Sequence, residues 1–333
     1  MHQLYAPAAK ILSDLAMRRG PLYTLAERHD MLSHARHYAL LCKDSGNELM
    51  GEMIFRLGDR LDLCRVQMDI LGQLTRRLEA ARDDPDADED AMRDLGEVCI
   101  GLNEELHDID HLYTNCASRL GLWEICLQIL QVEGVPRDRA PIIGSLWRNI
   151  IRTEIKEHRT NWHVHVKATV HRLHHQYHGD PLMFPLGLVV EILENVHFQI
   201  TATGRARPAE DRSPDREPAQ SDFVVACLLE AGASAAELTR AYETVVKSDT
   251  VSSDEKVGLC WSVRHLLAGL LQRDQAAFRA GGAAHRTPDG FSLISACLNE
   301  LVALHLHDPP SLVYSRLVDI KKTYYHQGAI QPY

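Results

Sequence analysis

The chain has 333 residues, of which 45% are apolar, and a formal net charge of −10 at pH 7. This apolar content is ample for one long or two compact domains, which excludes a wholly disordered chain. Excess negative charge disfavours direct nucleic-acid binding, because that affinity comes largely from Lys and Arg at phosphates. The N-terminus lacks a secretory signal pattern, and the longest apolar run, 181–190, is too short to span a bilayer. We therefore expect a soluble intracellular protein.

Helical spacing of apolar residues recurs from end to end, whereas strand patterns are almost absent, so the predicted fold class is all-α. Ser/Thr-x-x-Glu capping boxes predict helix starts at Thr24, Ser234 and Ser252. Gly134 and Gly232 follow apolar helical runs and predict left-handed helix ends. The predicted helices span 4–18, 24–42, 47–82, 88–105, 106–120, 122–133, 138–160, 162–178, 185–200, 222–231, 234–248, 253–273, 289–307 and 310–326, the last opened by Pro309 and Pro310.

The helix predicted over 47–82 carries an apolar seam with alternating spacings of four and three residues. A second apolar row lies off this seam, which favours packing on more than one side over a free dimeric coiled coil. The seam consists of Met50, Ile54, Leu57, Leu61, Cys64, Met68, Leu71, Thr75 and Leu78, and the second row of Leu63, Ile70 and Leu74.

Short connections between many successive helices predict antiparallel pairs stacked in series, which is an α-solenoid. A globular multi-helix bundle is the structural alternative, because no strict repeat period marks the chain. Two stretches, 83–90 and 201–222, are too charged and too poor in apolar residues to be helical, and the second contains a possible phosphosite, Ser213. We therefore expect a first solenoid part at 1–200, a disordered acidic and Pro-rich loop at 201–222, and a C-terminal solenoid part at 223–333.

The sequence offers no common catalytic pattern: phosphate-binding loop, zinc helix, nucleophile elbow and paired Cys-x-x-Cys are all missing. Its cysteines lie within apolar helical patterns without close pairs and are interpreted as reduced core thiols. Trp147 shares a helical row with Ile143, Ile150 and Ile151 and is also interpreted as core. We predict no enzyme activity, no catalytic residues, no cofactor and no small-molecule substrate.

A histidine-rich stretch at 162–178 is the one chemically suggestive segment. His171 and His175 share a helix face, as do His174 and His178, and neutral imidazoles at this spacing can bind zinc. No Glu or Asp occupies a matching position in this helix, however, so solvated histidines are the favoured interpretation, alongside His163 and His165. We predict no metal site, and a His-rich helical metal-binding protein is the minor alternative.

The last predicted helix carries two apolar rows. Val313, Leu317, Ile320 and Tyr324 form a row that should pack on the preceding helix. Tyr314, Val318 and Tyr325 form a second row, which we predict to be a partner-binding surface at the end of the array. Alternatively, the tail at 328–333 covers this row or the tyrosines are simply exposed.

Read in order, eight segments resemble the C-terminal α-solenoid of the non-FG scaffold nucleoporins of the nuclear pore inner ring, the nucleoporin 155/170 family. They are 8–16 (AAKILSDLA), 24–36 (TLAERHDMLSHAR), 65–71 (RVQMDIL), 106–113 (LHDIDHLY), 122–134 (LWEICLQILQVEG), 146–154 (LWRNIIRTE), 184–193 (FPLGLVVEIL) and 238–248 (LTRAYETVVKS). The resemblance is strongest before residue 250 and concerns helix sequences, so it carries over no site residue.

The resemblance implies a terminal fragment of a scaffold at the nuclear pore complex in the nuclear envelope, with a role in nucleocytoplasmic transport. It implies binding to linear motifs of linker nucleoporins, either the N-terminal region of the nucleoporin 98 class or the RRM-bearing membrane-proximal class, and to other inner-ring nucleoporins. Family members attach to membrane through an N-terminal β-propeller that this chain lacks, so no membrane contact is expected. Another α-solenoid adaptor or coat scaffold is the alternative that the helix pattern alone permits.

Overall fold

A computed structural model describes residues 4–42, 48–85, 88–134, 140–203, 222–248, 251–279, 288–304 and 312–329. All regular structure in these ranges is helical, which confirms the predicted all-α class. The chain divides into two compact units, Met1–Arg139 and Ala140–Tyr333. The predicted boundary segment 201–222 lies almost wholly outside the described residues, as does Ser213, so the three-part division stays a prediction.

The helices follow the sequence pattern closely. Unit 1 contains α1 (Tyr5–Ala16), α2 (Leu25–Leu41), α3 (Glu48–Arg82), α4 (Glu89–Glu104), the short α5 (Ile109–His111), which runs into a π-helical segment (Leu112–Ser118), and α6 (Trp123–Glu133). Unit 2 contains α7 (Ala140–Glu157), α8 (Trp162–Tyr177), α9 (Leu186–Thr203), α10 (Phe223–Ala231), α11 (Ala235–Val246), α12 (Ser253–Arg279), α13 (Pro288–Ala303) and α14 (Leu312–Ala329). No described helix is long and apolar enough to cross a membrane.

The predicted capping boxes and glycine helix ends are confirmed wherever they are described. Thr24 and Ser234 form complete capping boxes, and Ser252 exchanges the same reciprocal hydrogen bonds with the glutamate three residues on. Gly134 and Gly232 end α6 and α10 with positive φ angles of 76° and 106°, a conformation that costs glycine little. Pro309 and Pro310 lie outside the described residues.

Helix α3 packs on both sides, as its two apolar rows predict, but the buried stripe shifts along its length. Leu57, Leu61 and Cys64 pack in a core cluster with residues of α1 and α2. Further along, the second-row residues Ile70 and Leu74 are fully buried, whereas the seam residue Met68 is 37% exposed. The predicted packing of α3 on more than one side is therefore confirmed, since α3 contacts α2, α4 and α6, and the seam residue Met68 lies away from these contacts.

A fully buried arginine joins the ends of several unit 1 segments. Arg28 on α2 has no exposed surface, and its guanidinium donates only to backbone carbonyl oxygens. The acceptors are the carbonyls of Ala16, Arg18, Gly20, Tyr23 and Glu104. The planar fork of donors thus satisfies carbonyls that the ends of α1 and α4 and the α1–α2 connection leave without helical partners.

A buried glutamine on α3 explains the break before α5. Gln67 Nε2 donates to the carbonyls of Leu102 and Glu105, each at 2.6 Å, and its Oε1 accepts from the His107 amide at 3.0 Å. These bonds hold the chain extended at Glu105, so α5 begins at Ile109, three residues after the start of the helix predicted over 106–120.

In unit 2 each helix packs on the next helix but one along the chain. Helices α7, α9, α11 and α13 contact one another in series, and α8, α10, α12 and α14 do the same. Contacts between sequential helices join the two rows, for example α7 with α8 and α11 with α12. Two rows of stacked helices are the arrangement of an α-solenoid, so the predicted architecture is confirmed.

The predicted core residues are buried. Trp147 has no exposed surface, and its indole Nε1 donates to the Met183 carbonyl at 3.0 Å. All eight cysteines are free thiols, and all but the half-buried Cys99 are buried. Burial raises the pKa of Cys64 to about 11 and of Cys126 and Cys227 to about 12, so these thiols stay protonated and unreactive at neutral pH.

Candidate binding surfaces

The predicted partner surface on α14 is only partly open. Val313 and Leu317, from the first row, are fully buried where α14 packs on α12 and α13. From the second row, Tyr314 and Val318 are half-buried, and the side chain of Tyr325 lies outside the described part of α14. Val313 and Leu317 therefore have their predicted packing role, whereas Ile320 is half-buried and the side chain of Tyr324 lies outside the described residues. Partner binding by Tyr314, Val318 and Tyr325 stays a prediction.

A second kind of surface is the apolar groove between α10 and α12. Its walls include Val225 and Leu229 from α10 and Leu266 and Leu270 from α12. Val225 and Leu266 are buried beneath the groove, while Leu229 and Leu270 are half-buried along it. A groove of this kind between stacked helices can receive apolar anchors of an extended or helical peptide.

A cleft beside α9 and α12 contains a buried carboxylic acid that joins three helices. Glu194 of α9 is buried, and the hydroxyl of Tyr242 on α11 donates to its Oε1 at 2.5 Å. Burial raises the pKa of Glu194 to about 7, although hydrogen bonds from Tyr242 and from Ser262 on α12 partly oppose the rise. The pKa of Tyr242 is in turn raised well above its usual value by burial and by the neighbouring carboxyl group.

His197 lines the same cleft from one turn further along α9. It is 6% exposed, and within the described part of the chain its Nε2 has no hydrogen-bond partner. The ring stacks on Phe223, with centroids 5.8 Å apart. Burial lowers the pKa of His197 despite the opposing effect of Asp222, so the imidazole is neutral at pH 7.

The histidine-rich helix α8 presents its side chains in different directions. His171, His175 and His178 are exposed, whereas His163, His165 and His174 are half-buried. The two pairs predicted to share a face do so: the ring centroids of His171 and His175 are 5.6 Å apart, and those of His174 and His178 are 6.2 Å apart. Burial lowers the pKa of His174, and the neighbouring His178 lowers it further.

The structure brings one carboxylate to this helix that the sequence pattern does not indicate. Glu154 near the end of α7, His158 just after it and His165 on α8 place one ligand atom each within 4.8 Å of one another. The expectation that no carboxylate accompanies the histidines considered α8 alone, and it misses Glu154 because that residue belongs to the preceding helix. In the sequence, only the i, i+4 spacing of Glu154 and His158, which spans the end of α7, indicates that a carboxylate lies near a histidine.

Comparison with known proteins identifies nucleoporin relatives. Residues 1–298 match the family described as non-repetitive/WGA-negative nucleoporin C-terminal. Nuclear pore complex protein Nup154 of Drosophila melanogaster is 29% identical over 200 residues, which cover 57% of this chain and 13% of that protein. The chain therefore spans only a small part of the curated relative that it matches.

Solved structures of a fungal nucleoporin share the fold. The Nup170 CTD of Chaetomium thermophilum, crystallised in a complex with Nup145N, superposes with a TM-score of 0.57 at 15% identity, over 96% of this chain and 61% of that one. The structure of the Nup170 CTD alone gives a TM-score of 0.61 at 14% identity, with coverage of 96% and 60%. At these identities the likeness concerns the fold.

Proposed function

Because the chain belongs to the non-repetitive/WGA-negative nucleoporin C-terminal family, we propose that it is a scaffold segment of the nuclear pore inner ring that binds linear motifs of linker nucleoporins. Nucleoporins are components of the nuclear pore complex at the nuclear envelope, and the role of this family is structural, not catalytic. Family membership favours this function over that of another α-solenoid adaptor or coat scaffold, which the helix pattern alone permits.

The observation that carries the linker-binding proposal is the fold shared with the Nup170 CTD, which is known in a complex with Nup145N. The likeness covers 96% of this chain, so it includes both compact units. The two rows of helices in unit 2 also leave the α10–α12 groove, whose apolar walls suit the anchor residues of a short peptide. A rigid helical array with such grooves can position flexible partners without changing shape itself.

The proposed partners are linker nucleoporins of two classes: the N-terminal region of the nucleoporin 98 class and the RRM-bearing membrane-proximal class. Contacts with other inner-ring nucleoporins belong to the same proposal. The second row of α14, formed by Tyr314, Val318 and Tyr325, is the proposed docking surface. Tyr314 and Val318 are half-buried, and side chains that are already partly ordered lose little entropy on binding.

Calorimetric titration of the chain with synthetic segments from both linker classes tests this function. We expect one class to bind with one-to-one stoichiometry, and a scrambled segment of equal composition not to bind. If neither class binds to the folded, helical protein, the proposal that this chain binds linker nucleoporins is wrong.

The docking surface is tested separately with the double variant Tyr314→Ala, Tyr325→Ala. We expect binding at least about tenfold weaker, because truncation of aromatic anchors typically costs more than 1 kcal/mol. Phe55→Ala is the matched control, since Phe55 in unit 1 is a large apolar side chain that is 70% exposed and is assigned no role. Unchanged affinity in the double variant would move the docking site to another surface, such as the α10–α12 groove.

A further inference from the structure

Three potential metal ligands meet where α7 ends and α8 begins. Glu154 near the end of α7 and His158 just after α7 are four residues apart, and His165 in the early part of α8 lies beside them. One Glu154 carboxylate oxygen and one imidazole nitrogen from each histidine all lie within 4.8 Å of one another. His158 Nε2 is 3.9 Å from Glu154 Oε2. The three side chains are half-buried, so they are held in place yet still reached by solvent.

The carboxylate of this cluster is oriented by a fourth residue. Thr169, one turn beyond His165 on α8, is buried, and its hydroxyl donates to Glu154 Oε1 at 3.0 Å. The bond occupies one carboxylate oxygen and leaves Oε2 on the side of His158. Carboxylates that ligate metals are commonly held by such a hydrogen bond, which restricts their rotation.

The imidazoles of His158 and His165 stack face to face, with centroids 3.5 Å apart and an angle of 11° between the rings. This contact keeps the two rings together but places their nitrogen lone pairs in nearly parallel planes. Binding one ion requires each ring to turn about its side-chain torsions until the lone pairs converge. Because both rings are half-exposed, the turn needs no rearrangement of the core.

We propose that Glu154, His158 and His165 form a binding site for a divalent transition-metal ion, with Zn²⁺ as the expected occupant. Two imidazoles and one carboxylate are a ligand set that zinc takes in proteins, and a water molecule can complete the tetrahedron. Imidazole nitrogen disfavours Mg²⁺ and Ca²⁺, which prefer oxygen ligands throughout. Bound zinc would tie the end of α7 to α8 and stabilise that corner of unit 2.

Other histidines of α8 lack this arrangement. In the part of the chain that the structure describes, the cluster is the one group of three or more His, Cys, Asp or Glu residues with ligand atoms close enough for one ion. The exposed pair His171 and His175 offers two imidazoles on one helix without a carboxylate at the same distance. It therefore provides a matched control on the same helix.

The test is titration of the tag-free chain with Zn²⁺ by calorimetry, and with Co²⁺ as a spectroscopic probe. We expect one ion per chain, visible-region absorption typical of tetrahedral Co²⁺, and loss of that absorption when Zn²⁺ or a chelator is added. Zinc at about 100 times its Kd should raise the Tm by roughly 5–10 °C, because the ion binds only the folded state.

Variants assign the ion to these residues. His158→Ala, His165→Ala and Glu154→Gln should each weaken binding at least about tenfold, and Thr169→Val, which affects only the orientation of Glu154, by about tenfold. The double control His171→Ala, His175→Ala should bind as the wild type does. Circular dichroism establishes that each variant is folded. The proposal is overturned if the wild type binds no stoichiometric ion, if binding survives in His158→Ala and His165→Ala, or if the control loses it.

Discussion

Each unit of the molecule buries an ionisable side chain where several helices meet, but the two units do so with opposite chemistry. In unit 1 the guanidinium of Arg28 is enclosed by five backbone carbonyls and no carboxylate. In unit 2 the carboxyl group of Glu194 is enclosed by hydroxyl groups of Tyr242 and Ser262. Both arrangements satisfy a buried polar group, and both join segments distant in sequence.

The difference concerns the response to pH. A guanidinium group carries its charge under all ordinary conditions. Glu194 has a pKa of about 7 because burial penalises its charged form more than two hydroxyl donors stabilise it. The comparison teaches that carbonyls oriented by helix ends can hold a permanent charge, whereas two hydroxyl donors do not offset the burial of a carboxyl group, whose pKa therefore lies near neutral pH.

The largest expected effect is the loss of the unit 1 arrangement. Arg28→Met keeps much of the side-chain volume but leaves buried carbonyl groups without donors, so we expect the free energy of unfolding to fall by about 3–5 kcal/mol. Urea unfolding followed by circular dichroism measures this, and hydrogen exchange of α1 and α2 peptides assigns the loss to unit 1.

Two further variants sharpen the Arg28 result. Arg28→Lys should recover only part of the stability, since an ammonium group has three donors and cannot reproduce the planar fork. Arg36→Met, at an exposed position of the same helix, should change stability by less than about 0.5 kcal/mol. Equal stability of Arg28→Met and Arg36→Met would refute the central role of the buried guanidinium.

A smaller, pH-dependent effect is expected in unit 2. Because the pKa of Glu194 rises from 4.5 in the unfolded chain to about 7 in the folded one, the folded state binds more protons between these values. The contribution of Glu194 is therefore fully present below pH 4.5 and is lost as the pH rises through 7. Glu194→Gln removes this titration, so the stability of the wild type relative to the variant should fall by about 3 kcal/mol between pH 4.5 and 8.

The effect of Glu194 must be taken from the stability difference between Glu194→Gln and the wild type, because His197 changes the stability with pH in the opposite direction. Its lowered pKa means that the folded state favours the neutral ring, so its contribution is present above the unfolded pKa and is lost as the pH falls through the lower folded pKa. The pH dependence of the wild-type free energy of unfolding contains the contributions of both groups. A pH-independent stability difference between Glu194→Gln and the wild type would contradict the assigned titration.

The smallest expected effect is the loss of an N-terminal capping box, which both units contain although their cores differ. Thr24 in unit 1 and Ser234 in unit 2 form the same capping box, so Thr24→Ala and Ser234→Ala should each lower the free energy of unfolding by about 1 kcal/mol. Urea unfolding of both variants provides the measurement. A cost several times larger in one unit would show that its cap also supports tertiary packing.

Local chemistry made most of the fold predictable from the sequence. Capping boxes, glycine ends and apolar spacing depend on residues within one helix, which is why α2, α3 and α11 begin and end close to their predicted positions. The start of α5 and the exposure of Met68 were not predictable, since Gln67 bonds residues about forty positions away and α3 changes neighbours along its length.

The candidate sites were less accessible to sequence reasoning because each combines residues from different helices. Glu154 approaches His165 only through the packing of α7 on α8, and Glu194 meets Tyr242 only through the packing of α9 on α11. The half-buried state of Tyr314 likewise depends on how α14 lies on its neighbours. A periodic pattern shows which face of a helix is apolar but not which helix will face it.

The buried thiols give the protein a set of natural reporters in both units. Cys64 and Cys126 in unit 1 and Cys227 in unit 2 are buried, and the raised pKa of each keeps it protonated. An alkylating reagent can modify such a thiol only after the surrounding helices have transiently opened. The labelling rate of each cysteine, read by mass spectrometry, therefore measures how often its part of the array opens while the rest of the chain remains folded, without any introduced probe.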